Sequence, residues 1–121
     1  MWSRRVVWLG LALTLWGCGG RYGRAVAAYE KTQYPEALAA LEAVPESDWR
    51  ASSERTARYA LYRGLSHLAV GEAETAAAWL TRCHATVAVE PDALDAVDKS
   101  RLHTAWRALG LMPGQVVLSA R

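Results

Sequence analysis

The side chains of this sequence that could carry chemistry are few and scattered. Transition-metal binding would draw on Cys83, His67, His84 and His103, the nitrogen and sulfur ligands that zinc prefers. No HExxH, CxxC or HxH spacing makes a ligand pair of any two of them, and the adjacent Cys83 and His84 would point about 100° apart on a helix. Cys83 instead continues an apolar stripe, which predicts a small buried core residue, and the histidines are expected to be partly exposed polar groups. Acyl transfer needs a serine on a sharp strand-to-helix elbow. No GxSxG is present, and Ser52 and Ser53 read as helix-end or surface hydroxyls. Glu72 and Glu74, and the set Asp92, Asp95 and Asp98, could move protons, but helix starts and solvated faces account for them without a reaction. The glycines 17, 19, 20 and 23 do not follow a strand, as a phosphate-binding loop would. No catalytic residue, metal site or cofactor is therefore assigned, and the chain is expected not to be an enzyme.

Cys18 differs because of what precedes it. Met1 to Arg5 is short and basic, and Val6 to Trp16 is an uncharged apolar run. As a helix that run would reach only about 16 Å, half the thickness of a hydrocarbon core of about 30 Å. A signal segment fits it better than a permanent span, with an uncleaved anchor as the alternative. The run ends in Leu15-Trp16-Gly17-Cys18, which resembles the lipobox of bacterial lipoproteins: an aliphatic residue three before the cysteine, a small residue before it, then the thiol. Trp16 departs from the pattern, since the family usually has a small or aliphatic residue there. The resemblance implies lipidation of Cys18, cleavage after Gly17 and acylation of the new amino terminus. Gly19 then implies sorting to the outer membrane, facing the periplasm. Several acyl chains, at about 0.8 kcal/mol per buried CH₂, would hold a small domain there durably. Ser3-Arg4-Arg5 is similar to part of a twin-arginine signal, although general secretion suits Val7 and Trp8 better.

The chain has 121 residues, of which 52% are apolar, enough for one compact domain. Its 14 basic and 12 acidic residues leave a formal charge of +2, which argues against nucleic acid as a partner. Loss of a leader over residues 1–17 would remove Arg4 and Arg5 and leave a neutral body with both signs interspersed. Lipid on Cys18 would leave Cys83 as the remaining thiol, so packing rather than a disulfide must stabilise the domain.

From Tyr22 onward apolar residues recur at spacings of three and four, and no stretch alternates with period two, so the fold is expected to be all-α. Five helices are predicted, over residues 22–31, 35–43, 50–70 and 72–86, with a fifth that follows Glu90-Pro91-Asp92 and is closed by Gly110 and Pro113. Pro45 to Asp48 is expected as a turn leading to the third helix. The predicted stripes are Leu38, Leu41 and Val44; Leu61, Leu65 and Leu68; Ala73, Ala76, Leu80 and Cys83; and Leu94, Val97, Leu102, Trp106 and Leu109. Residues 18–21 read as a lipidated end and short tether, 22–110 as the helical domain, and 111–121 as a tail whose Val116-Val117-Leu118 either docks back or frays.

An internal repeat emerges at an offset of 39 residues. It sets Ala37 against Ala76, Leu41 against Leu80 and Tyr29 against Leu68. With Gly64, Gly71, Ala76, Leu80 and Cys83 at its small and apolar positions, the second copy resembles the tetratricopeptide repeat, a helix–turn–helix unit. The first copy has Ala25 and Thr32 where that family more often has glycine. The resemblance implies antiparallel helix pairs in a short array capped by a C-terminal helix. It also implies a concave groove, lined by the first helix of each pair, that takes a protein partner; Tyr22, Val26, Tyr29, Arg58, Leu61, Leu65 and Leu68 are the residues it assigns. Tyrosine, arginine and aliphatic side chains suit such contacts, and packing between the first and third helices is the competing explanation. The expected function is thus a lipid-anchored envelope adaptor or scaffold, of the general kind that assembles envelope machines. Two alternatives remain: a metal- or thiol-dependent envelope enzyme using Cys83 and histidines, and a structural lipoprotein that forms homo-oligomers.

Overall fold

The computed structural model of the chain describes residues 20–110, and every regular element among them is helical. Helix α1 occupies residues 20–30 of the described chain. It is followed by α2 (Tyr34–Glu42), α3 (Glu46–Trp49), α4 (Ser53–Ala69), α5 (Ala73–Val89) and α6 (Ala96–Ala108), with a single 3₁₀ turn at Pro91–Ala93 between the last two. The proposed leader and Cys18 lie outside the described residues, as does the tail from Leu111. No helix among the described residues is long and apolar enough to cross a membrane.

Each boundary has a local cause. Ser52 caps α4 by accepting the Arg55 N–H at 3.1 Å, and Asp95 caps α6 by accepting the Asp98 N–H at 2.8 Å. Pro35 sits in the first turn of α2, where its missing N–H costs nothing. The segment expected as a turn, Pro45 to Asp48, instead begins a one-turn helix. Trp49 explains the difference: the short helix lets this residue reach the core, where its ring stacks on Tyr59 at 4.6 Å and meets the edge of Trp79 at 5.8 Å. The long helix consequently starts at Ser53 rather than near Arg50.

The helices end on a repeated device. Thr32, Gly71 and Gly110 are spaced 39 residues apart, and each has positive φ, at 61°, 86° and 70°. The hydrogen bonds repeat with them. Thr32 N–H donates to Tyr29 O and Gln33 N–H to Ala28 O; Gly71 N–H donates to Leu68 O and Glu72 N–H to His67 O; Gly110 N–H donates to Arg107 O. These are left-handed caps that satisfy the last carbonyls of α1, α4 and α6. The spacing found in two copies therefore extends to a third, whose first helix is α6. A β-branched threonine in this conformation costs about 1 kcal/mol relative to glycine, so the first cap is the least favourable of the three.

Packing follows the same register. Ala37 and Ala76, and Leu41 and Leu80, are pairwise equivalent and all fully buried. Helices α4 and α5 approach tightly at Gly64. There a Cβ on Gly64 would lie 2.5 Å from Leu80 Cγ and 3.3 Å from the Ala76 carbonyl oxygen, so any side chain at this position must push Leu80 aside. Its counterpart in α1 is the fully buried Ala25, and in α6 the exposed His103. With Lys99 and Arg107 also exposed, α6 presents a polar outer face. Two stripe assignments change. Ala73 and Val97 point outward, Val97 at 62% exposure, because α5 and α6 are reached through the Glu72 and Asp95 caps, which put their first residues outside the core.

Candidate functional site

Two hollows open on the surface, one where α1, α4 and α6 meet and one between α1, α4 and the α2–α3 segment. A groove of about 320 Å³ is lined by Tyr29 from α1, by Leu65, Leu68 and Ala69 from α4, and on α6 by Ser100, Arg101, Thr104, Ala105 and Ala108. Its walls are mainly apolar, with one cation along the rim. A second, more polar hollow of about 620 Å³ lies at the other end, where Tyr22 and Arg58 line it together with Arg21, Asp48, Glu54 and Arg55.

A chain of polar contacts sets the width of the groove by fixing α6 against α1 and α4. The Tyr62 hydroxyl donates to Asp98 Oδ1 at 2.8 Å and accepts from the Arg101 guanidinium, which also donates to Glu30 Oε2 at 3.2 Å. Asp98 is only 6% exposed, so its carboxylate depends on these partners and on the helix start where it sits. Burial, followed by the bond to Asp98, pushes the Tyr62 phenol well above its ordinary range. Around this centre Tyr29 and Tyr22 set their rings edge-on to Tyr62, at 5.5 and 6.1 Å. The Arg58 guanidinium lies 4.9 Å over Tyr22, a cation–π arrangement.

The residues assigned from the sequence therefore divide. Tyr29, Leu65 and Leu68 line the groove. Tyr22 and Arg58 line the other hollow and brace α1 on α4, and Val26 packs half-buried against the core. Leu61 has no exposed surface and cannot touch a partner. It belongs wholly to the core cluster, together with Leu41, Leu65 and Leu80. The α6 wall was missed. The signal for it was present in the sequence, since one further step of 39 residues beyond Gly71 reaches Gly110 and marks α6 as another first helix. Asp98, expected on a solvated face, is the buried acceptor of Tyr62.

Among the described residues no cluster of three His, Cys, Asp or Glu side chains could hold a metal ion. Cys83 is fully buried, and burial pushes its thiol up to about 12, which leaves almost no thiolate at neutral pH. His67 is buried too, contrary to expectation, because Nδ1 lies 2.7 Å from Glu72 Oε1 across the Gly71 turn. His84 stacks on Trp106 at 4.5 Å, and His103 is exposed. Comparison with protein-family models, with curated proteins and with solved structures finds no match for this chain.

Proposed function

We propose that this chain is a lipid-anchored adaptor of the bacterial envelope. A short, tetratricopeptide-like helical array holds an apolar segment of a protein partner close to the outer membrane, on its periplasmic side. The observation that carries the reading is the groove, an apolar channel at the junction of α1, α4 and α6, where Tyr29, Leu65 and Leu68 come together with α6. Its volume is at the lower end of the range of binding pockets, roughly 300–1,000 Å³, which suits a short helix or strand rather than a globular surface. The lipobox-like Leu15-Trp16-Gly17-Cys18 supplies the anchoring half. With α1 already helical at residue 20, two positions beyond Cys18, the anchor leaves the domain little freedom to move away from the bilayer.

The mechanism is tethering. The lipid confines the groove to a surface, and confinement raises the effective concentration of any partner held there without a new contact. The test is affinity capture from crosslinked membranes, comparing the wild type with Cys18→Ala and Leu68→Glu, alongside mass spectrometry of the mature chain. A diacylglyceryl-modified Cys18, with capture of the partner lost in Leu68→Glu, is expected. An unmodified sulfur at residue 18, or a Cys18→Ala protein that localises and captures as the wild type does, overturns the anchored adaptor.

A further inference from the structure

The groove lies beside the point where the described chain leaves α6. Ala108 forms part of its wall, and Gly110 follows two residues later. The left-handed cap at Gly110 is the same device that, at Thr32 and Gly71, sends the chain back antiparallel along the helix just completed. The same device at Gly110 would turn a following segment back along α6. Two strips of α6 are open to such a segment. One is the outer face of Lys99, His103 and Arg107, which is polar and exposed. The other is the groove, lined in part by Leu65, Leu68, Ala105 and Tyr29.

The segment is Leu111-Met112-Pro113-Gly114-Gln115-Val116-Val117-Leu118, which has no charged residue. Pro113 and Gly114 oppose an ordinary continuation as helix, and Val116-Val117-Leu118 carries aliphatic groups that gain nothing on the lysine and arginine face. Reach allows the groove. The stretch from Ser100 to Ala108 is about 12 Å along the helix axis, and the five residues 111–115 span up to about 17 Å when extended. We infer that Val116-Val117-Leu118 lies in the groove between α1, α4 and α6, so that the chain is its own first ligand there. Because segment and groove share one chain, the effective concentration is on the order of millimolar, and even a weak intrinsic affinity fills the site. This inference stands on the groove and the segment alone. Its consequence, that an external partner must displace the chain's own segment, rests on the adaptor reading.

Disulfide trapping distinguishes the two strips, because the difference between loops of 13 residues (104 to 117) and 18 residues (99 to 117) changes closure by less than about twofold. The full chain carries Cys18→Ser and Val117→Cys, with the second cysteine placed either in the groove by Thr104→Cys or on the outer face by Lys99→Cys; native Cys83 is buried and does not compete. An intrachain disulfide should form at residue 104 about tenfold faster than at residue 99. Replacing Val116 and Leu118 by serine should remove that preference without touching a helix. Equal rates at the two positions, faster trapping at residue 99, a preference that survives the serine substitutions, or disulfides only between chains would each overturn the inference. None of these outcomes depends on lipid at Cys18 or on an external partner, so the inference and the adaptor reading can fail separately.

Discussion

The α4–α5 crossing and the junction of α1, α4 and α6 are built on opposite principles. At the crossing, Gly64 admits Leu80 and Ala76 to backbone contact, and the interface is apolar and closed. At the junction, three tyrosine rings and the Glu30, Asp98 and Arg101 side chains hold the helices together with a groove left beside them. Steric fit is sensitive to a single methyl group. A polar bridge tolerates a gap but fails when one partner is removed. The molecule thus concentrates its rigidity in one hairpin and leaves its open surface where polar side chains set the spacing.

The crossing should give the largest response to substitution. Gly64→Val ordinarily would improve helix propensity, yet here its side chain must displace Leu80, and a loss of about 3 kcal/mol is expected from overpacking. Urea unfolding measures it, and a neutral or stabilised variant would show that the crossing is not tight. At the junction, Asp98→Ala leaves the buried Tyr62 hydroxyl without its acceptor, for an expected loss of about 2 kcal/mol. If the network sets the spacing, the trapping rate at residue 104 should change in this variant while Gly64→Ala leaves it alone.

The smallest effect at neutral pH, about 1 kcal/mol, is expected for Cys83→Ala, which deletes one buried heavy atom, but its pH dependence is diagnostic. Burial raises the folded-state thiol from 9.0 to about 12, so the folded chain binds this proton more tightly than the unfolded chain does. The resulting stabilisation is complete below pH 9 and is lost as pH rises through about 12. The wild type should therefore lose stability more steeply than Cys83→Ala between those values, as followed by denaturant midpoints. Parallel slopes would mean that the thiol is not shielded in the native state.

The two regions were also unequally legible. Ala76, Leu80 and Cys83 form a stripe legible from spacing because backbone geometry imposes the period, while Gly64 was placed opposite them through the resemblance to the tetratricopeptide repeat. The same 39-residue offset carried Gly110, but with α6 bearing His103 where α4 has Gly64, pattern matching lost the third copy. Trp49 illustrates another limit. A helix of one turn has too few residues for periodicity, so its existence follows from where a large ring can be buried. Asp98 shows the third: an acid near a helix start reads as solvated until a tyrosine from a distant helix arrives to donate to it.

Helix content, the 39-residue register and the burial of Leu41, Leu80 and Cys83 were determined by the chain itself, since each depends on local backbone preference or on hydrophobic spacing within one element. The groove, the full burial of Leu61 and the Tyr62–Asp98–Arg101 bridge were decided only when three helices met. Their partners are 36 and 39 residues apart in sequence, and no local pattern specifies which side chains will share a desolvated space across such distances.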